Sequence, residues 1–411
     1  MGEDRNLNVL RVPTAGVPEL IETTAALDSG IAALASGTGP VALDTERAQT
    51  FRYSSRAYLV QLRRAGTGTM LLDPIAFQDG RTPADLSRLA AAIADAEWIL
   101  HSASQDLPCL AEIAMVPRNV FDTELAARLL GLPHVSLAAL IEEFFDITLL
   151  KEHSAADWSR RPLPHPWLVY AALDVELLIE LRDKLAAMLV EAGKDEWARQ
   201  EFAYVVATFA REQPERPDRW RRLNGANRVR TRRGLAVLRE LWSARDIIAE
   251  DLDRYPNHVL ADTVITQIAE LVSAEHPEVP TVSEIHRLPA FSRQQHQVFL
   301  VDWLAAIRRA GELPEAQLPP LRIRRSPVPE VRNWPRLKPE AAALWSRIRP
   351  AVIERAQQLR IPVENLVSPG ALKQYCWKPP NQITPEAVNT TLAGLAVREW
   401  QRDFIVPILV S

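Results

Sequence analysis

Asp44, Thr45 and Glu46 follow the apolar run Val41-Ala42-Leu43 and put two carboxylates at i, i+2. On an extended strand that spacing sends both side chains out of the same face. Paired anions beside a buried strand are costly, and a divalent cation held by carboxylate oxygens relieves that cost. A strand that simply ends in solvated acids is the alternative, and this stretch alone does not choose. Asp106 follows the apolar stretch Trp98-Ile99-Leu100-His101 and lies near the start of a helix, where a carboxylate also serves merely to offset the helix dipole. Asp122 stands at a strand-to-helix junction and reads as an N-cap. Tyr170 and Asp174 are spaced i, i+4 and share one helix face, where an aromatic also packs as plain core. Each has an ordinary structural reading. As an ordered set, Asp-x-Glu, a later Asp and Tyr-x-x-x-Asp bring four carboxylates towards one sheet edge. Two divalent ions about 3.5–4 Å apart require that donor set, and such a pair clamps a phosphodiester between an activated water and a stabilised leaving oxygen.

The elements that must position these groups are those of an α/β domain. A short strand at Asn8–Val12 and a helix over Pro18–Ser36 precede the Asp44 strand. Arg56–Arg63 and Thr69–Leu72 flank Gly66-Thr67-Gly68 and predict a hairpin. Helices and strands then alternate to Phe144, and one long helix spans Trp167 to Ala192 with another at Glu196–Arg211. The prolines of Gln213–Asp218 mark a boundary. Beyond it the apolar spacing is all helical, as in Leu235, Leu238, Leu241, Trp242 and Ile248. A proline- and arginine-bearing stretch from Glu312 to Pro339 reads as an extended linker. A last unit follows, with long helices at Ala341–Leu359 and Pro385–Phe404. The two helical units share a long–short–short–long pattern that suggests a diverged repeat.

The 411 residues exceed one ordinary core and imply roughly two to four domains. A net charge of -4 excludes a polycation, so any nucleic-acid contact must use local basic patches. Arg219-Trp220-Arg221-Arg222, Arg228–Arg233 and Arg322–Lys338 with Trp334 are candidates for phosphate contact and base stacking, with a solvated linker as the bland reading. The two cysteines, Cys109 and Cys376, match no metal spacing and fit a reducing compartment. Met1–Asn6 is polar and unlike a secretory signal, and no apolar run reaches the roughly 18–20 residues of a membrane helix. The expectation is a soluble cytoplasmic protein with no membrane partner.

The sequence resembles the DEDD exonuclease superfamily, tyrosine subclass, and within it the ribonuclease D family. Asp44 and Glu46 match the first motif, Asp106 the second, and Tyr170 with Asp174 the third. Lys151 and the run Ser154–Leu163, with Asp157-Trp158 and Arg161-Pro162-Leu163, resemble the segment before the final motif. The helical units resemble HRDC domains, the first through Arg233–Asp246, the second mainly through its position.

The resemblance implies an RNase H-like α/β exonuclease domain, a mixed sheet flanked by helices, over residues 1–212. It implies a first HRDC domain at 225–310, a linker at 311–338 and a second, divergent HRDC-like domain at 339–411. It further implies two ions, Mg²⁺ or Mn²⁺, with Asp44 bridging them, Glu46 and Asp174 on the side of the attacking water, and Asp106 near the leaving oxygen. Tyr170 would orient the water, while Thr45, Arg47, His101 and Gln105 would meet the substrate; Arg47 stands where the family often has an aromatic residue. The implied activity is a 3′→5′ exoribonuclease releasing nucleoside 5′-monophosphates from single-stranded 3′ ends, tRNA precursors among them. No protein partner is implied. A DNA 3′→5′ exonuclease and a non-catalytic RNA-binding scaffold are the alternatives. Removal of residues 312–411 is expected to weaken substrate binding more than chemistry.

Overall fold

The computed structural model describes residues 8–149, 155–211, 217–292, 297–323 and 328–411. Eight strands occur among them: β1 (Asn8–Leu10), β2 (Leu20–Ile21), β3 (Thr38–Arg47), β4 (Ala57–Ala65), β5 (Gly68–Leu72), β6 (Trp98–Leu100), β7 (Val120–Asp122) and β8 (Ile147–Leu149). Six form one mixed sheet in the order β2-β5-β4-β3-β6-β7, and β1 pairs with β8 in a separate parallel ribbon. The predicted hairpin is β4–β5, antiparallel, with Gly66 and Gly68 at φ of 82° and 79° where a side chain would strain the turn. β6 runs parallel to both β3 and β7.

The pleat of β3 sorts its side chains between two cores. Val41 and Leu43 join Leu27 and Leu34 of helix α1 (Thr24–Ser36), Leu89 of α2 (Ser87–Ala92), and Leu107 and Leu110 of α3 (Leu107–Glu112). Ala42 joins Ile99 and Phe121 against α4 (Thr123–Leu130), α5 (Leu137–Phe145), α7 (Leu178–Glu191) and α8 (Asp195–Phe209), while α6 (His165–Asp174) comes between α5 and α7 in the chain.

Several expected helices are shorter. The first begins only at Thr24, because Leu20 and Ile21 pair with Leu71 and Leu72 and Thr23 Oγ1 caps the helix at Ala26 N. The helix expected over Trp167–Ala192 is two, α6 and α7, parted at Val175–Leu177 without a glycine or proline. Glu176 in that break is 2% exposed; it accepts from Thr14 N (3.1 Å) and pairs with Arg63 (3.2 Å). That hydrogen bond and that ion pair, both long-range, hold a turn that local propensity does not encode. The helix expected over Pro385–Phe404 is likewise two, Pro385–Gly394 and Glu399–Val410.

The chain divides into two compact units. The second contains 47–55 and 217–323. Its long helix α9 (Arg232–Asp251) is followed by α10 (Pro256–Val259) and α11 (Asp262–Glu270). The segment after β3 packs here: Tyr53 Oη donates to Asp246 Oδ2 (3.1 Å), Ser54 N to Asp253 Oδ1 (3.1 Å) and Tyr255 N to Phe51 O (3.1 Å). Burial and the Asp246 carboxylate push the Tyr53 phenol up to about 12.

The first unit contains 8–46, 56–211 and also 328–411. Trp197 stacks on Trp400 (4.7 Å), and Glu201 accepts from Arg398 Nε (2.6 Å) and Trp400 Nε1 (2.9 Å). Lys194 Nζ donates to the carbonyls of Leu129 (2.7 Å) and Leu359 (2.8 Å), and Gly131 leaves no room for a Cβ against the Arg360 carbonyl. The helices Pro339–Gln358, Val363–Leu366 and Pro369–Trp377 match α9, α10 and α11 residue for residue in length, each displaced by 107 positions.

The supposed linker before them is partly folded. Trp334, a candidate for base stacking, is wholly buried between Trp345 (5.8 Å) and Trp377 (5.4 Å) and donates Nε1 to Pro329 O (2.8 Å), so it has no face left for a base. Lys151 and Ser154 of the run before the final motif, His153 between them, most of the boundary at 212–216, part of the helix that the sequence predicts over Ser292–Arg309, and 324–327 in the linker lie outside the described residues.

Candidate active site

Alternation along β3 places Asp44 and Glu46 on the face of Ala42, towards α6, and Thr45 on the face of Val41 and Leu43, towards α3. Asp174 is the last residue of α6. The carboxylates of Asp44, Glu46 and Asp174 each offer an oxygen within 4.8 Å of the others. Three anions that close repel one another unless a cation joins them. An all-oxygen donor set suits a hard ion of the magnesium type rather than a soft one.

Asp106 is not in that trio. It is 3% exposed, and its Oδ1 accepts from Thr45 Oγ1 at 2.7 Å. It stands at the N-cap of α3 but makes no side-chain capping bond, so helix capping does not explain its burial. Cys109 Sγ donates to the Asp106 carbonyl at 3.1 Å and sits 3.4 Å from Thr45 Oγ1. The strand pleat thus splits the four acids: three directly together, the fourth held from the other face through Thr45.

Tyr170 lies one turn before Asp174 and is hydrogen-bonded to it. Burial, and then the carboxylates of Asp174, Glu46 and Asp44, hold its phenol well above the ordinary tyrosine range. It therefore keeps its proton near neutrality and acts as a donor.

The loop before α6 explains how Tyr170 is fixed. Trp158 is wholly buried beside Trp167 (5.3 Å) and Tyr170 (6.3 Å). Arg161 grips Asp73 through two bonds (2.6 and 2.7 Å) and donates to the carbonyls of Trp158 and Tyr58 (both 2.8 Å). Asp73 follows β5, so this bidentate pair stitches the loop to the sheet. Arg161→Met leaves the 2%-exposed Asp73 carboxylate unpaired. It should lower unfolding free energy by roughly 3–5 kcal/mol, read by urea denaturation, with Arg161→Met/Asp73→Leu recovering most of the loss.

The other expected residues are placed as follows. His101 Nδ1 is 2.9 Å from Thr123 Oγ1, and Gln105, exposed, donates Nε2 to Ser102 Oγ (2.9 Å). Arg47 closes β3 and falls in the second unit. Asp157 is bonded to Ser159 N (3.2 Å) within its own loop. Asp122 does cap α4 at Leu125 N (3.1 Å), and it also accepts from Ser102 N (3.0 Å) and Ala103 N (2.9 Å). It thereby fixes the loop that delivers Asp106. Burial raises its pKa to about 6 against those three donors. The sequence signal for Asp122 was a local cap; its grip on a loop 20 residues earlier had none.

A family model described as 3′–5′ exonuclease matches residues 18–190, and one described as 3′ to 5′ exonuclease C-terminal domain matches 327–411. The ribonuclease D of Pseudomonas paraeruginosa is 32% identical over 281 residues, covering 68% of this chain and 71% of that one. The chain belongs to the ribonuclease D family. The solved ribonuclease D of Escherichia coli is 26% identical, with a TM-score of 0.66 over 92% of this chain and 98% of that one. A solved protein from Bifidobacterium adolescentis is 36% identical, with a TM-score of 0.88 over 98% and 99%. For a ribonuclease D family member, the central sheet, its flanking helices and the helical C-terminal region are thus the expected architecture.

Proposed function

We propose that this 3′→5′ exoribonuclease removes nucleoside 5′-monophosphates one at a time from RNAs with single-stranded 3′ ends, tRNA precursors among them. It would act in the cytoplasm, where such RNAs mature. The observation that carries the reading is the Asp44–Glu46–Asp174 trio in a member of this family. The solved E. coli relative is described as an exoribonuclease involved in structured RNA processing, which favours RNA over DNA as the substrate.

The trio would hold one divalent ion, and Asp44 with Asp106 a second, Mg²⁺ or Mn²⁺ in each place. When bound, such ions supply Lewis-acid stabilisation of the phosphodiester and of the leaving oxygen. Thr45 would orient Asp106, since its hydroxyl already fixes one carboxylate oxygen. Tyr170 would keep its proton at Oη, donated to the Asp174 carboxylate, and would orient the attacking water by accepting a hydrogen bond from it. Gln105, exposed beside this loop, and His101 and Arg47 at the strand ends would meet the terminal nucleotide. We read 225–310 and 339–411 as HRDC-like accessory units joined by 311–338, and the shared helix lengths support a duplication. The packing of 328–411 with 8–46 and 56–211 supports reading the HRDC-like segment at 339–411 as joined to the exonuclease domain.

The test is incubation with 5′-end-labelled single-stranded RNA or matched DNA in Mg²⁺, Mn²⁺ or EDTA. Metal-dependent shortening of RNA in one-nucleotide steps is expected. Preference for DNA would replace the substrate, and no shortening with either metal would sink the reading.

A further inference from the structure

The arginines of the cluster that runs into the start of α9 are mostly engaged. Arg228 pairs with Glu270 (2.5 Å) and Arg232 with Glu315 (2.9 Å), while Arg233 donates to the carbonyls of Ala310 (2.8 Å) and Leu313 (2.7 Å). These side chains hold the helical unit together.

Three other arginines line a cavity of about 570 Å³ within the same unit. The chain leading into α9 supplies Arg221, Asn227 and Arg230, and the chain leaving the unit supplies Leu321, Arg322 and Ile323. Arg221 lies over the Trp220 ring (4.2 Å) and donates Nη2 to Pro320 O (2.8 Å), which ties the two segments across the cavity. Arg230 and Arg322 are exposed, and neither enters an ion pair among the described residues. No carboxylate lines the cavity among the described residues.

Three guanidiniums around one space repel each other, and an anion relieves that repulsion. Planar guanidinium forks fit phosphate oxygens, and the size falls in the range of about 300–1,000 Å³ usual for small-ligand sites. Leu321 and Ile323 add apolar lining of the kind that a base face packs against. A simple phosphate site would not need that lining.

We propose that this cavity binds a phosphodiester segment of single-stranded RNA, with the backbone on Arg221, Arg230 and Arg322 and a base against Leu321 and Ile323. The proposal rests on the reading of RNA as substrate and adds where the RNA is held away from the reacting bond. It also distinguishes, within the basic clusters, the arginines that take RNA from those that only build the fold.

The experiment uses the full chain carrying Arg230→Ala/Arg322→Ala, both exposed positions, and a parallel Arg230→Lys/Arg322→Lys variant. Fluorescence anisotropy of a labelled single-stranded RNA is followed in EDTA over a series of salt concentrations. The alanine variant should bind about tenfold more weakly, and its plot of log Kd against log salt should be shallower by about 1.4, at about 0.7 per lost phosphate contact. The lysine variant should keep the salt slope, because it keeps the charges. In the RNA-shortening assay KM should rise with Kd. Equal losses on matched DNA assign the contact to phosphates and base faces; a loss confined to RNA adds the 2′-hydroxyl. Wild-type affinity and slope in the alanine variant overturn the proposal, as does displacement of RNA by millimolar inorganic phosphate alone, which would assign the cavity to free phosphate. Because binding is read without metal, a chain that binds here but never shortens RNA would defeat the nuclease reading and leave this one intact.

Discussion

Asp44→Asn is expected to slow 3′-end shortening by about three orders of magnitude or more, the scale on which a charge aimed at the reacting group acts. Asn keeps the shape of the side chain and removes one of the three charges that meet within 4.8 Å. The same change should make the metal-free protein more stable. Two carboxylates at that separation repel by on the order of 3 kcal/mol at an effective dielectric of 20, and solvent reduces this for the partly buried Asp44 and Asp174. In EDTA the variant should therefore melt higher than the wild type. Saturating Mg²⁺ should raise the melting temperature of the wild type and much less that of the variant, because only the wild type gains binding free energy. RNA affinity in EDTA should change little. A variant that cleaves normally, or one that gains as much from Mg²⁺ as the wild type, would remove Asp44 from the metal-binding set.

The second large effect concerns residues 328–411. As sequence, the Glu312–Pro339 stretch looks like a tether to a dispensable module, whose loss weakens binding. The structure argues for loss of folding instead. Ala42, Ile99, Phe121 and Leu185 share one continuous core with Ile348, Val352, Leu392 and Ile405. A chain ending at residue 327 would expose that surface and strip Arg398 and Trp400 from the 4%-exposed Glu201. It should be recovered mainly as aggregate. A gentler probe is Trp400→Ala, which removes the Trp197 stack and a donor to Glu201 and should cost roughly 3–5 kcal/mol. Urea denaturation of the full chain reads that loss. A soluble truncated chain that melts with the full chain would show the two parts to be independent.

The features visible in the sequence were the ones that local spacing encodes. The i, i+2 acids on β3 and the i, i+4 pair on α6 are periodicities, and the trio they form follows from them. The β4–β5 hairpin was legible because glycine permits its turn. What was hidden depends on partners far along the chain. Nothing near Thr45 says that its hydroxyl will reach Asp106, 61 residues later. Nothing near Trp334 says that a stretch rich in arginine and proline will bury it. The packing of Tyr53 on α9 and the Asp73–Arg161 pair are equally non-local, and periodicity cannot report them.

The turn at Val175–Leu177 has an electrostatic consequence. In the unbroken helix expected over Trp167–Ala192, Asp174 would lie mid-helix, far from either end of the dipole. In the structure it is the last residue of α6. The C-terminal end of a helix carries the equivalent of about half a negative charge, which favours cations beside it. The main chain itself therefore adds negative potential where three carboxylates already meet. Glu176, by holding that turn through Thr14 and Arg63, supports a negative field that would favour a cation there, although it is not itself one of the three clustered carboxylates.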